Sequence, residues 1–366
     1  MHDKLDFSDL KKVIEINSWS KNKAGVDTVG NTMIPWFEEL GFTLTRHERE
    51  SIGDHLHFTT EYHAESPRVL LLGHIDTVFP PGKFEGFSQD EEWIYGPGTC
   101  DMKGGNFVAL EALRAIHKKY SKVHNIDVLL VSDEETGSDD SKHLTASLAS
   151  QYDVCLDFEA AGENHEVVTG RKGVATYTFD LKGRAAHAGN SYLLGRNANL
   201  AAARLLLALT ELTDLDKGTT VNVGKIEGGI GANTISPHAQ LMVEARFKDT
   251  TEKERVLSSI EAMANKEWVT DVTIELSGGL QRHVMMPSQA QEVLLDTFKG
   301  ILGYALPTEQ RGGVSDANVM AGEGVTTLDG FGPFGDGDHT IHERAKISSF
   351  VRRIEETTKI LDHFQN

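Results

Sequence analysis

The sequence is poor in cysteine and contains no long apolar run. Only Cys100 and Cys155 occur among its 366 residues, which excludes a disulfide framework and predicts a cytoplasmic setting. No stretch approaches the ~20 apolar residues that a membrane span requires. Residues 1–20 also lack the apolar core of a signal peptide. We therefore expect no membrane association.

Positive charge is scarce as well. The chain has 36 Lys and Arg residues against 55 Asp and Glu residues, a formal net charge of -19, and no basic block. We expect no nucleic-acid partner, because a phosphate backbone is bound by clustered Lys and Arg. The chain is long enough for two domains, and its many carboxylates suit the binding of cations.

The hydrophobic pattern predicts an α/β fold with an insertion. Buried strands at 69–72, 127–132 and 154–158 alternate with helices, which indicates a mixed, mostly parallel sheet covered by helices. Between residues 173 and 276 the order becomes β-α-β-β-α-β, an α+β unit of the ferredoxin-like type. We therefore predict a discontinuous main domain, residues 1–171 and 284–366, and an inserted domain, residues 172–283.

Side chains that can bind metal stand at five separated points of the main domain, at strand ends or in glycine-rich loops. They are His74, Asp101, the pair Glu134 and Glu135, Glu159, and His339. In an α/β sheet, ligands collect beyond the carboxyl ends of the strands. Two imidazoles and three carboxylates form a mixed N/O set that suits Zn²⁺, with Mn²⁺ or Co²⁺ as substitutes.

Five ligands exceed the need of a single ion. If one carboxylate bridges two dications ~3.5–4 Å apart, each ion has one His, one terminal carboxylate and the shared bridge. With Glu135 as a ligand, Glu134 is free to take a proton from water and deliver it to a leaving amine. Asp76, two residues after His74, is expected to orient the His74 ring.

Four segments carry these residues: GHIDTV at 73–78, GTCDMKGG at 98–105, DEETGS at 133–138 and GDGDHT at 335–340. In sequence and order they resemble the dinuclear-zinc aminoacylase/carboxypeptidase family, and the closest pattern is its glutamate carboxypeptidase branch. The likeness covers nearly the whole chain. It implies that Asp101 is the bridging ligand, that His74 and Glu159 share one zinc ion, and that Glu135 and His339 share the other.

The resemblance also implies an activity. It makes Glu134 the general acid/base and implies a cis peptide bond between Asp101 and Met102. The enzyme would be a metallo-carboxypeptidase that cleaves an amide bond next to a free carboxylate and releases a glutamate-like amino acid from a peptide or N-acyl conjugate. An aminoacylase or dipeptidase of the same family is the alternative. A metal-binding protein without catalysis is a further alternative, although coordination does not require Glu134.

The predicted inserted domain resembles the family's lid and dimerisation domain, which implies a homodimer and closure over the metals. By this resemblance His187 hydrogen-bonds the developing oxyanion, often across the dimer. The resemblance makes Asn233, Arg246, Gly312 and Gly313 substrate-binding residues. Arginine suits a terminal carboxylate because its fork binds both oxygens.

Two ligand assignments have competitors. Asp157 lies on the same strand face as Glu159, and different branches of the family use Asp or Glu at this point. His342 competes with His339, but the family's ligand lies four residues before a glutamate, which fits His339 and Glu343.

Recognition of a glutamate side chain has no clear counterpart in the sequence. Arg282 and Arg311 are candidates for it, with a solvated surface role as the alternative for each. Cys155 is expected to be a small core residue in a strand. Cys100 directly precedes Asp101, which leaves a thiolate role open for it.

Overall fold

The computed structural model describes residues 5–63 and 65–365. The predicted main domain also includes residues 1–4, 64 and 366, which lie outside the described residues. Within the described part the helices are α1 (Ser8–Ile14), α2 (Lys23–Glu38), α3 (Lys103–Tyr120), α4 (Ser141–Ala149), α5 (Ala198–Thr210), α6 (Thr250–Ala264), α7 (Gln289–Leu302), α8 (Ala317–Gly322) and α9 (Ile347–His363). Among these helices, none combines the length and the apolar character that crossing a membrane requires.

The strands of the described residues are β1 (Thr43–His47), β2 (His55–Thr59), β3 (Val69–His74), β4 (Ser88–Gln89), β5 (Trp93–Tyr95), β6 (Ile126–Val131), β7 (Val154–Asp157), β8 (Val167–Arg171), β9 (Gly173–Lys182), β10 (Thr220–Gly228), β11 (His238–Phe247), β12 (Thr273–Arg282), β13 (Thr308–Arg311), β14 (Thr326–Leu328), β15 (Gly335–Asp336) and β16 (Arg344–Lys346). The chain divides into two compact units. The first comprises residues 1–170, 287–311 and 315–366, and the second comprises residues 171–286 and 312–314.

The first unit is built on a six-stranded sheet in the order β1-β2-β6-β3-β7-β14. Strands β6, β3, β7 and β14 are parallel, whereas β1 and β2 pair antiparallel at one edge. Alternate residues of β3 enter different cores: Val69 and Leu71 pack into the larger apolar cluster, and Leu70 and Leu72 pack into a smaller one. A strand buried on both faces gives the continuous apolar run seen in the sequence.

Strand β3 continues to His74, two residues beyond the predicted strand 69–72. Gly73 is needed for a close approach of α3, since a Cβ at this position would lie 2.2 Å from Asn106 Oδ1. Asn106 Nδ2 in turn donates to His74 O (2.7 Å). Because β3, β6 and β7 are parallel, the segments that follow them leave the sheet at the same edge.

The second unit has the order β9-α5-β10-β11-α6-β12 and one antiparallel sheet, β10-β11-β9-β12. Its core lies between the sheet and the two helices, with Phe179, Leu205, Leu241 and Ile260 fully buried. This is the ferredoxin-like α+β unit predicted from the sequence, and its last strand, β12, extends to Arg282, beyond the predicted end of the pattern at residue 276. The unit also includes residues 312–314, which lie outside the predicted limits 172–283.

Candidate metal centre

The structure brings the five predicted metal ligands of the first unit together. His74 ends β3, Glu135 lies in a single 3₁₀ turn after β6, and Glu159 follows β7. Asp101 precedes α3, and His339 lies in the loop between β15 and β16. Ligand atoms of His74, Asp101 and Glu135 all lie within 4.8 Å of one another.

Asp101 lies between the two histidines. Its Oδ1 is 3.0 Å from His74 Nε2, and its Oδ2 is 3.2 Å from His339 Nε2. On one side Glu159 Oε1 is 3.7 Å from His74 Nε2, and on the other Glu135 Oε2 is 3.1 Å from His339 Nε2. The carboxylate therefore faces two groups, each with one imidazole and one further carboxylate, which is the arrangement a bridging ligand needs.

Glycines allow the loops that carry these ligands to meet. A Cβ at Gly105 would lie 1.8 Å from Phe158 O, so only glycine lets α3 approach the backbone just before Glu159. A Cβ at Gly335 would lie 2.4 Å from Cys100 Cβ, so this glycine lets the strand that precedes the His339 loop approach the Asp101 loop. The glycine-rich motifs are thus explained by close packing of backbone on backbone.

Asp76 and Glu134 have the surroundings expected of them. Asp76 is fully buried, and its Oδ1 lies 3.3 Å from His74 Nδ1, opposite the ring nitrogen that faces Asp101. In the part of the chain that the structure describes, the Glu134 carboxylate accepts no hydrogen bond. Desolvation raises the pKa of Glu134 well above its ordinary value, as expected for a carboxyl group that takes up a proton.

The carboxylates of the cluster lie so close together that their ionised forms are stabilised by nearby positive charge. Burial and the charge of Asp101 raise the pKa of Glu135 to about 7 and also raise the pKa of Glu159. Hydrogen bonds to Asp101 and Glu135 raise the pKa of His339 to about 11. Although burial opposes it, the hydrogen bond to Asp101 raises the pKa of His74. Although burial opposes ionisation of Asp101, hydrogen bonds from both histidines lower its pKa.

These donors fit a pair of divalent cations. Two neutral imidazoles and three carboxylates supply the N/O ligands that Zn²⁺, Mn²⁺ and Co²⁺ accept. Cations would supply the positive charge that the protonated histidines otherwise provide, and binding would release those protons. The small exposed fractions of His74 (1%), Glu135 (4%) and Glu159 (12%) place most of the donor set away from solvent.

Two carboxylates near the site hold loops. Glu343 is 1% exposed and accepts backbone N–H bonds from Gly98 (3.0 Å), Cys100 (3.0 Å) and Asp101 (3.2 Å). Sequence reasoning used Glu343 only as a spacing marker, and that fixed spacing from His339 was the available signal. Asp133, the first residue of the acidic run, accepts from Asp140 N (3.0 Å) and so fixes the loop that carries Glu134 and Glu135.

The competing residues have surroundings that differ from those of the predicted ligands. Asp157 accepts from Ala317 N (3.0 Å) and Ser315 Oγ (3.2 Å), so its carboxylate is used in holding the loop before α8. His342 is exposed. Cys100 is 1% exposed, and burial raises the pKa of its thiol, which argues against a thiolate there. The Asp101–Met102 peptide bond is cis, which confirms that prediction.

In the second unit His187 is exposed, and its Nδ1 accepts from Gly189 N (3.2 Å) and Asn190 N (3.1 Å). This fixes the ring and leaves Nε2 as the nitrogen that can contact a ligand. The backbone beside it is paired with the segment that carries the predicted substrate ligand Asn233, since Ala188 N donates to Asn233 O (2.8 Å). His187 and Asn233 therefore lie on two neighbouring, hydrogen-bonded loop segments.

The other predicted substrate residues of the second unit also lie together. Arg246 donates to Glu244 Oε1 (2.7 Å) and to Gly312 O (3.0 Å), so its guanidinium already has a carboxylate partner. The carbonyl of Gly313 accepts from Arg171 Nη1 (3.1 Å). Thus the carbonyls of the two glycines face arginines, which the sequence did not indicate.

The two arginines considered for side-chain recognition differ in burial. Arg282 is 2% exposed, so a surface role for it is wrong. Arg311 is half-buried in the first unit, and it donates to Glu309 Oε1 (2.7 Å) and to Ala160 O (2.8 Å). Ala160 directly follows Glu159, which places Arg311 beside the donor cluster.

Comparison with known proteins gives concordant matches. The sequence model of peptidase family M20/M25/M40 matches residues 70–363. Carboxypeptidase G2 from Pseudomonas sp. (strain RS-16) is 28% identical over 364 residues, which cover 96% of this chain and 87% of the relative. A tripeptidase structure from Staphylococcus aureus has a TM-score of 0.80 at 22% identity and covers 98% of this chain and 97% of its own. A dinuclear metal-binding peptidase of the M20 family from Bacillus subtilis has a TM-score of 0.69 at 12% identity, with 97% and 96% covered. The predicted fold class is confirmed.

Proposed function

This chain belongs to peptidase family M20/M25/M40, and we propose that it is a dinuclear zinc-dependent hydrolase that cleaves an amide bond next to a free carboxylate. It would release a C-terminal, glutamate-like amino acid from a peptide or an N-acyl conjugate, as a metallo-carboxypeptidase. One observation carries the proposal: Asp101 faces His74 with one oxygen and His339 with the other, 3.0 and 3.2 Å away. A glutamate that ligation does not require, Glu134, stands in the same loop as Glu135.

The proposed ligands are His74 and Glu159 for one ion, His339 and Glu135 for the other, and Asp101 for both. When bound, two divalent cations supply Lewis acidity and lower the pKa of a water molecule. Glu134 takes the proton of that water and delivers it to the nitrogen of the leaving amine. Desolvation of its carboxyl group raises its pKa, which makes Glu134 a stronger base than an exposed carboxylate.

We assign substrate recognition to the second unit. Arg246 would bind the free carboxylate of the substrate. Glu244 accepts hydrogen bonds from the Arg246 guanidinium and so orients it. His187 Nε2 would donate to the developing oxyanion, and Asn233 would contact the substrate. We propose that this unit acts as a lid and forms a homodimer. Identical small-angle scattering with and without a product-like inhibitor would contradict lid closure.

An aminoacylase or dipeptidase activity is the alternative within the family. The similarity to carboxypeptidase G2 supports a C-terminal glutamate, whereas the similarity to a tripeptidase supports a short peptide. Hydrolysis of a panel of N-acyl amino acids, dipeptides and tripeptides with matched C-terminal residues distinguishes them. Preference for substrates with C-terminal glutamate supports the proposal, and equal rates across C-terminal residues would contradict it. The predicted cytoplasmic setting can be tested by fractionation of the source cells.

The mechanism is tested by comparing Glu134→Gln with Asp139→Asn, an exposed acid of the same loop that pairs with Lys142. We expect Glu134→Gln to lower kcat by roughly 10²–10⁴-fold, the usual contribution of a general acid/base, while bound metal stays at two ions per chain. Asp139→Asn should retain the activity. Wild-type kcat in Glu134→Gln, or full activity after chelation, would overturn the proposed function.

A further inference from the structure

Asp76 connects both sides of the proposed metal centre to a third segment of the chain. Its Oδ1 lies 3.3 Å from His74 Nδ1, and the carbonyl oxygen of Asp76 lies 3.1 Å from the same ring nitrogen, so Asp76 contacts the His74 ring with both its side chain and its backbone. Its Oδ2 accepts a bond from the backbone N–H of Glu135 (3.3 Å). The same Oδ2 accepts a shorter bond, 2.6 Å, from the hydroxyl of Ser20. Ser20 is 2% exposed, so water does not compete readily for this bond.

The segment that carries Ser20 is hydrogen-bonded to the residues that follow Asp76. Thr77 N donates to Ser18 O (2.8 Å), and Ser20 N donates to Thr77 O (3.1 Å). Asn17 Nδ2 donates to Phe79 O (3.0 Å) one step further along. The backbone of Ser20 is therefore held beside Asp76 by these bonds, which do not involve the Asp76 carboxylate.

A second attachment links this segment to the Asp101 loop. Lys103, two residues after Asp101, is 1% exposed, and its Nζ donates to Val13 O (2.8 Å) and Ile16 O (2.9 Å). Burying an ammonium group is costly unless its protons are bonded, so these carbonyls hold the Lys103 side chain tightly. The segment before Ser20 is thus anchored beside the proposed bridging ligand as well as beside Asp76.

We propose that Ser20 is a positioning residue of the metal centre: its hydroxyl fixes the rotation of the Asp76 carboxylate, which then holds the His74 ring and the Glu135 backbone in place. The inference rests on the proposed function, because it assigns His74 and Glu135 as ligands. Groups that orient metal ligands contribute typically 10–100-fold to metal affinity or activity. Without the hydroxyl, Asp76 Oδ2 would keep, among the described residues, the longer bond from Glu135 N alone, so the carboxylate would be held less firmly.

The test compares Ser20→Ala with Ser18→Ala in the full-length chain. Ser18 is a matched control because its side chain is fully buried two residues away and, among the described residues, its hydroxyl has no hydrogen-bond partner. Zinc affinity is measured by competition with a chromogenic chelator. We expect Ser20→Ala to bind zinc about 10-fold more weakly than Ser18→Ala. Ser20→Thr, which keeps a hydroxyl, should recover part of the affinity.

A second readout separates positioning from general loss of structure. In the cobalt-substituted protein, Ser20→Ala should alter the visible absorption bands of Co²⁺, and Ser18→Ala should not. In an Asp76→Asn background, Ser20→Ala should have little additional effect, since it acts through Asp76. Equal zinc affinities and spectra in the two serine variants would overturn the inference while leaving the proposed function intact. Absence of zinc binding by the unsubstituted protein would overturn the proposed function itself.

Discussion

Glu343 offers the sharpest test of how the proposed bridging ligand is held. Its carboxylate accepts three backbone N–H bonds, from Gly98, Cys100 and Asp101, and it is 1% exposed. In Glu343→Ala these donors lose their acceptor. A buried N–H without an acceptor costs about 1–3 kcal/mol, so three of them at the lower limit destabilise the loop by about 3 kcal/mol.

The assay is hydrogen exchange of the amides of residues 98–101, followed by mass spectrometry. A loss of about 3 kcal/mol corresponds to an opening equilibrium roughly 10²-fold more favourable, and exchange should accelerate by that factor. Glu355→Ala, which removes an exposed carboxylate of the same charge on α9, should leave exchange in this loop unchanged. Glu343→Gln keeps one acceptor oxygen and should fall between the two. Unchanged exchange in Glu343→Ala would refute the claim that Glu343 holds the loop.

Three further predictions concern stability. Although burial opposes it, the hydrogen bond from Lys23 lowers the pKa of Asp54 from 3.8 to about 2, so its charged form stabilises the fold above pH 4 and that contribution is lost as the pH falls towards 2. Asp54→Asn should therefore lower the free energy of unfolding by about 2 kcal/mol at pH 7. In acid denaturation, the difference between the variant and the unsubstituted protein should shrink below pH 4. Gly105→Ala should destabilise by about 1–3 kcal/mol or more because its Cβ would lie 1.8 Å from Phe158 O. Gly300 lies in α7, where an added Cβ would have no atom within 4 Å, so Gly300→Ala should stabilise the protein by about 0.5–1 kcal/mol. Urea denaturation of the two glycine variants tests both expectations, and equal denaturation midpoints would contradict them. Zinc at about 100 times its Kd should raise the free energy of unfolding over that of the chelated protein by about 2.7 kcal/mol for each ion bound. Melting temperatures that zinc does not change would contradict this.

Much of the fold could be predicted because its signals are local. The apolar run of β3 and the β-α-β-β-α-β order of the second unit follow from burial patterns that neighbouring residues share. The ends of elements were less well defined, as in β3, which continues through Gly73 to His74 because both residues remain paired with β6. Local patterns do not contain such contacts between elements.

The candidate site also contains residues that local patterns predict and residues that only the structure reveals. His74, Glu135 and Glu159 were found because each follows a buried strand, and His339 because its loop is too rich in glycine for a core. Ser20 could not be found by this reasoning, since it acts on Asp76, which lies 56 residues away in the chain. It is one polar residue among several after α1, and no motif distinguishes it.

The sequence by itself determined the candidate ligands, because strand ends and glycine-rich loops can be recognised from neighbouring positions. Only the tertiary structure decided how those residues are held. Glu343 reaches Cys100 N across 243 positions, and Asp101 turns one oxygen to each histidine. Such contacts depend on where whole elements pack, and that follows from the burial of the entire core rather than from any short stretch of the chain.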